Sequence, residues 1–144
     1  MKVEQSVVVH APRQRIWRLV AEPARYPRIL EGTTWRSHNG HRGLGARYDV
    51  RTRVGSAQVG GQVEVSELEP GYDLAWVSVT GLDQRGRWRL REHPAGGIEV
   101  TLRLRYASPG GLLGLLADLT SSALVRARMR EWLDHLKTLA EARA

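Results

Sequence analysis

The stretch QRGRWRLREHPAGGIEVTLRLRY, residues 84–106, decides the fold class. Gly86, Trp88 and Leu90 alternate with Arg85, Arg87, Arg89 and Arg91. After Pro94-Ala95-Gly96-Gly97 the chain resumes with Ile98, Val100, Leu102, Leu104 and Tyr106 alternating with Glu99, Thr101, Arg103 and Arg105. A period of two, with one apolar and one charged set, describes a strand whose one face is wet. Two such runs joined by a glycine turn form an antiparallel hairpin.

Upstream the same grammar repeats. Tyr72 to Thr80 carries Leu74, Ala75, Trp76, Val77 and Val79, is apolar on both sides, and is expected to be covered on both; which side faces the core stays open. Glu69-Pro70-Gly71 is a turn signal before it. Val59 to Leu68 places Val59, Val63 and Val65 inward, and Ala46 to Val54 alternates Tyr48, Val50, Thr52 and Val54 with Arg47, Asp49, Arg51 and Arg53. The short alternating runs begin near Thr33. Before them, Lys2 to His10 reads as a strand. A helix follows Pro12 with Ile16, Trp17, Leu19 and Val20 on one face and ends at Pro23, because a residue before proline avoids helical geometry. A second short helix is expected over about Ala24 to Leu30.

Downstream, beyond Gly110, the period becomes helical. Leu112, Leu116, Leu119 and Ala123 lead into Met129, Trp132, Leu133, Leu136 and Leu139, a stripe that one long helix would bury against a sheet. The small residues Thr120-Ser121-Ser122-Ala123 leave space beneath that helix. The predicted class is α+β: a curved antiparallel sheet of about seven strands round a long C-terminal helix, with two short helices after the first strand, in a single domain spanning residues 1–144.

Composition narrows the chemistry. A chain of 144 residues buries about 68% of its unfolded surface and can build its own core. Cysteine is absent, which removes thiol nucleophiles, Fe–S ligation and Cys-type zinc sites. No apolar run is long enough to span a bilayer, and Met1 to Gln5 lacks a signal-peptide core, so a soluble cytoplasmic protein is expected. The net charge is +7, and Lys2 and Lys137 are the only lysines beside 20 arginines. His38 and His41 flank Asn39-Gly40 and read as a solvated turn, since no third ligand is near. His10, His93 and His135 form no dyad with a nucleophile, so no metal or cofactor is expected. Gly40-His41-Arg42-Gly43-Leu44-Gly45 precedes a strand rather than a helix, which makes it a hairpin loop and not a phosphate cradle.

Val7-Val8-Val9-His10-Ala11-Pro12, Ile16-Trp17, Tyr26-Pro27, Gly45-Ala46-Arg47-Tyr48, Glu67-Leu68-Glu69-Pro70 with Leu74-Ala75-Trp76, and Trp88-Arg89-Leu90 before Gly96-Gly97 resemble, in order and spacing, the SRPBCC superfamily of START-like lipid-binding domains, polyketide cyclases and coenzyme Q-binding proteins. The resemblance implies a helix-grip fold with a cavity between sheet and helix. Two departures mark this chain: the histidines supply no facial triad of the Rieske-oxygenase kind, and Phe is absent. Arg28-Ile29-Leu30 also stands where the coenzyme Q branch often has an aromatic and a proline.

On that layout the cavity is expected to be lined by Tyr48, Val50, Thr52, Trp76, Trp88, Leu90, Leu102, Tyr106, Leu116, Leu119 and Ala123, with the tyrosine hydroxyls and Thr52 as polar handles. The expected role is binding or carriage of a small hydrophobic molecule: a lipid, an isoprenoid or a polyketide-like compound. A second role is that of a polyketide aromatase or cyclase, with Tyr48, Tyr106 and Arg126 as candidates to polarise a carbonyl. A third uses the outward arginines of residues 47–53, 85–91 and 103–105 as one guanidinium field on an anionic partner. Nucleic acid is the less favoured such partner because no aromatic interleaves them. Glycines 110, 111 and 114 weaken the start of the last helix, so residues 109–116, opposite the 40–45 loop, are expected to form the mouth, with transient contact to a membrane or donor protein there. The sequence leaves monomer or dimer open.

Overall fold

The computed structural model describes residues 2–54, 57–81, 83–106 and 111–142, with side chains at all of these except 54, 57–59 and 111–122. Its elements are β1 (Lys2–Val9), α1 (Arg13–Val20), the 3-10 helix η1 (Pro23–Arg28), β2 (Thr33–Ser37), β3 (Arg47–Val54), β4 (Ala57–Glu69), β5 (Asp73–Ser78), β6 (Gln84–Glu92), β7 (Ile98–Tyr106) and α2 (Gly111–Glu141). The strands form one antiparallel sheet in the order β1-β7-β6-β5-β4-β3-β2. It is a meander in which the first strand joins the edge of the last, as the alternating patterns predict. The second predicted helix is the 3-10 turn η1, because Pro27 inside it removes an amide donor.

β5 is central, and its orientation is resolved by its neighbours. Leu74 pairs with Trp88 and Trp76 with Gly86, so the Leu74 and Trp76 side chains take the concave face with the apolar set of β6. Asp73, Ala75 and Val77 take the convex face. The strand is covered on both faces only over 73–76; Val79 is exposed, and so is Tyr72 just before the strand. A bulge at Ser66 shifts the register between Val65 and Glu67, which lets Val65 and Leu68 both turn inward despite odd spacing.

Trp76 needs Gly86. A Cβ on Gly86 would lie 1.9 Å from the Trp76 ring, so the indole lies directly on the β6 backbone and the one inward position of β6 without a side chain is a seat for a large neighbour.

α2 lies along β1 and beside α1. Met129, Trp132, Leu133, Leu136 and Ala140 are buried. Leu139, predicted to continue the stripe, is exposed, and Ala140 takes its place because a straight helix advances by 3.6 residues per turn from Leu133 through Leu136. Burial of each large side chain contributes roughly 1.5–3 kcal/mol. Polar clasps fix the helix: Trp132 Nε1 donates to Glu31 O at 2.9 Å, Lys137 Nζ to Val8 O at 2.8 Å, and the His10 amide to Glu141 Oε2 at 2.7 Å. On the other side of the fold, Arg13 stacks on Tyr72 and donates to Gly71 O and Leu90 O, tying α1 to the β4–β5 turn and to β6.

Candidate functional site

Five aromatic side chains from five elements meet on the concave face: Tyr26 from η1, Trp35 from β2, Tyr48 from β3, Trp76 from β5 and Trp88 from β6. Ring centroids lie 4.8 Å apart for Tyr26 and Trp35, 5.2 Å for Trp35 and Trp76, 6.1 Å for Tyr26 and Trp88, and 6.1 Å for Trp35 and Tyr48. Most contacts are edge-to-face or tilted, the arrangement that ring quadrupoles favour. Tyr26 is the hub. Pro23 and Pro27 hold η1 in a short 3-10 turn, and the Tyr26 hydroxyl donates to Val20 O at 2.7 Å, fixing the ring over the sheet.

The polar atoms are unevenly provided for. The Nε1 atoms of Trp35, Trp76 and Trp88 are buried and have no hydrogen-bond acceptor. A buried donor without a partner costs about 1–3 kcal/mol, and three in one cluster are uncommon in a core that only has to be stable. Burial pushes the Tyr26 phenol well above the ordinary tyrosine value; the Trp88 N–H, beside the phenol oxygen but outside hydrogen-bond geometry, acts in the opposite sense. The Tyr48 phenol is also raised, first by burial and then by the nearby Glu22 carboxylate, with Arg42 acting in the opposite sense. Arg42 reaches Glu22 at 3.5 Å, so the 40–45 loop, η1 and Tyr48 share one rim of the concave face. Both phenols keep their protons at neutral pH and are able to donate.

Of the residues expected to line a cavity, Tyr48, Val50, Trp76, Trp88, Leu90 and Leu102 are buried on the concave face, while Thr52 and Tyr106 are half-buried, Tyr106 at the end of β7. Ala123 and Arg126 are exposed on α2 and are not brought into the cluster, because the inward positions of that turn pass to Val125 and Met129. Leu116 and Leu119, and the mouth expected at 109–116, fall outside the described residues or side chains. Tyr26 and Trp35, which sequence reasoning left out of the site, are at its centre. Trp35 alternates with Thr33 and Ser37 in a short strand, a signal that becomes readable only once β2 is paired with Val50 of β3.

The histidines stay apart from this face. The His38 ring lies 3.4 Å from Asp49, and among the described residues no three His, Cys, Asp or Glu side chains gather to hold a metal. Also among the described residues, no helix is long and apolar enough to cross a membrane.

The sequence matches the family described as polyketide cyclase / dehydrase and lipid transport over residues 1–141. The chain belongs to that family. The family's helix-grip fold is the one seen here, a curled seven-stranded sheet against a C-terminal helix. TTHA0849 from Thermus thermophilus is similar at a TM-score of 0.82 and 18% identity, covering 97% of each chain. The Zhui aromatase/cyclase from Streptomyces sp. R1128 is similar at 0.81 and 18% identity, covering 98% of this chain and 93% of that one. The di-domain ARO/CYC BexL matches at 0.71 and 16% identity, with all of this chain covering 51% of that one. At such identities the likeness speaks to the fold. No curated protein matches the sequence.

Proposed function

We propose that the protein binds a small, largely apolar molecule that carries carbonyl or ether oxygens, on the concave face between the aromatic cluster and α2. The reading rests on the three buried indole N–H groups of Trp35, Trp76 and Trp88, which lack protein acceptors. Affinity comes from apolar burial at about 25 cal/mol per Å², and orientation from donors that only an oxygen-bearing ligand can satisfy. Isoprenoid and polyketide-like compounds have that composition, and membership of a family of cyclases, dehydrases and lipid carriers supports it. Native mass spectrometry of freshly purified protein is expected to release an apolar compound, and an added ligand to quench the clustered tryptophans. Clean apo protein with no thermal shift across a library of apolar ketones and quinones would overturn the reading. Trp76→Phe keeps the ring and removes one donor, so it is expected to weaken ketone binding more than hydrocarbon binding.

A second reading, catalysis of aldol closure and dehydration, is favoured by Tyr48. Its phenol is held protonated at the rim beside Glu22 and Arg42, where it can donate to a developing alkoxide. Two of the structural neighbours are titled aromatase/cyclase or ARO/CYC. On this reading Tyr48→Phe lowers kcat on a poly-β-ketone while leaving binding intact; unchanged turnover would remove Tyr48 from the chemistry.

A further inference from the structure

The arginines do not form the single field that the sequence predicts, because β4 and β5 separate β3 from β6. Arg47 is taken by Glu64 at 3.0 Å. On β6 and β7 the register stacks Arg85 opposite Arg105 and Arg87 opposite Arg103 on the convex face. These two rows differ. In the second, Arg103 meets Glu4 at 2.8 Å across β1, and Arg87 meets Glu67 and Asp73. In the first, Lys2 stands beside Arg105, which stands beside Arg85, which stands beside Val77. Three cations lie in a line with no acid between them, and among the described residues neither Arg85 nor Arg105 has an ion pair. Both are exposed.

Like charges directly opposed across strands destabilise a sheet. Here they rim a groove of about 230 Å³ lined by Ala75, Val77, Ser66 and Glu67 together with Arg85, Arg87, Arg103 and Arg105; the Glu67 carboxylate is held by Arg87, which leaves Arg85 and Arg105 as the cations of the groove without an acid. The groove is smaller than a usual drug-sized pocket and suits a compact anion. Guanidinium groups present paired donors that match phosphate oxygens and remain charged at any physiological pH.

We propose that this groove is a binding site for a phosphate monoester or diphosphate group, with Arg85 and Arg105 as its direct donors and Arg87 and Arg103 flanking. The site lies on the face opposite the aromatic cluster and stands independently of the ligand proposed there.

Inorganic pyrophosphate, titrated calorimetrically at low ionic strength, is the probe for a soluble phosphate. Vesicles of phosphatidylcholine with and without phosphatidic acid, whose headgroup is a phosphate monoester, probe a lipid headgroup. Saturable binding of pyrophosphate with no capture by either vesicle assigns the phosphate to a soluble compound; capture by phosphatidic acid vesicles alone assigns it to a headgroup. In either case Arg85→Gln and Arg105→Gln are each expected to weaken binding about tenfold. The charge-matched double variant Arg51→Gln/Arg53→Gln on β3, compared with wild type at about 0.15 M ionic strength, should change it less than about twofold, because β3 lies three strands from β6, farther than the Debye length of about 8 Å, and supplies no donor to the groove. Without any anion, Arg85→Gln should melt at or above the wild-type temperature, since it relieves a like-charge pair. Binding by the Arg85→Gln/Arg105→Gln protein within about twofold of wild type, or no saturable binding of either probe at low salt, would overturn the proposal.

Discussion

The two faces of β5 and β6 are made from the same two short stretches of chain, and they obey opposite rules. On the concave face, Trp76 and Trp88 are buried donors without acceptors, held among rings. On the convex face, Asp73 is nearly buried yet gathers Arg91 at 2.9 Å, Arg87 at 3.5 Å and Arg89 at 3.6 Å. The wet face therefore pairs most of the charges of this stretch with one another, with Asp73 Oδ1 and Arg89 Nε in ion-pair range but short of a hydrogen bond, while the dry face leaves its indole N–H groups unmatched. Stability alone would favour the reverse, because an unmet hydrogen bond is costlier where water cannot reach. That imbalance is what the proposed ligand on the concave face would relieve. On the convex face of β6 and β7, among the described residues, the Arg85–Arg105 row sets like charges opposite each other with no acid between them.

The sharpest test of this contrast compares neighbours on β6. Trp88→Ala should cost about 3–5 kcal/mol in denaturant unfolding, as large-to-small core changes do. Arg89→Ala, one residue away on the wet face, should cost less than about 1 kcal/mol. Equal costs would break the comparison. Next in size is Gly86→Ala, which drives a methyl into the Trp76 ring. About 1–3 kcal/mol of destabilisation is expected, together with a changed near-ultraviolet circular dichroism signal, since the indole must tilt. Asp73→Asn leaves three arginines on β6 without their shared carboxylate. Solvent screens those half-exposed guanidiniums, so the expected loss is about 1–2 kcal/mol, smaller at high salt.

Alkali probes the dry face. The Tyr26 and Tyr48 phenols are raised in the folded state, so as pH rises past about 10 the unfolded chain releases protons that the folded one keeps. Stability is full below that value and falls above it. Tyr48→Phe should shallow the fall measured by urea unfolding at successive pH values. The smallest effect lies at α2. The Glu141 carboxyl is lowered first by the Lys137 ammonium and then by the His10 amide, so its contribution is present above the ordinary carboxylate value and fades as pH falls through the lowered one. An NMR titration of Glu141 should show this, and Lys137→Met should return the carboxyl toward its ordinary value.

The convex face was legible in residues 84–106 because alternation at period two requires no knowledge of partners. From Met129 onward the stripe of the long helix was equally legible, apart from Leu139, where a drift in helical phase moved one apolar residue into solvent; Ala123, expected on the same stripe, is also exposed. The aromatic cluster was legible only in part. Tyr48, Trp76 and Trp88 carry the pattern of inward strand residues, yet nothing local marks Trp35 as their neighbour or Tyr26 as the ring that closes over them. Those contacts cross from η1 and β2 to β5 and β6, a distance along the chain that no periodicity encodes.

Alternation, proline and glycine placement and the change of period near Gly110 determined the element order and the wet face, since each acts through the backbone and nearest neighbours. Tertiary pairing decided the rest. It chose the side of β5 that faces inward, because a strand apolar on both faces has no preference until Gly86 offers Trp76 a seat. It divided the arginines by inserting β4 and β5 between them, and it matched Glu4, Glu67 and Asp73 to some while leaving Arg85 facing Arg105. Charge and ring partners depend on distance in space, and only the folded sheet sets that distance.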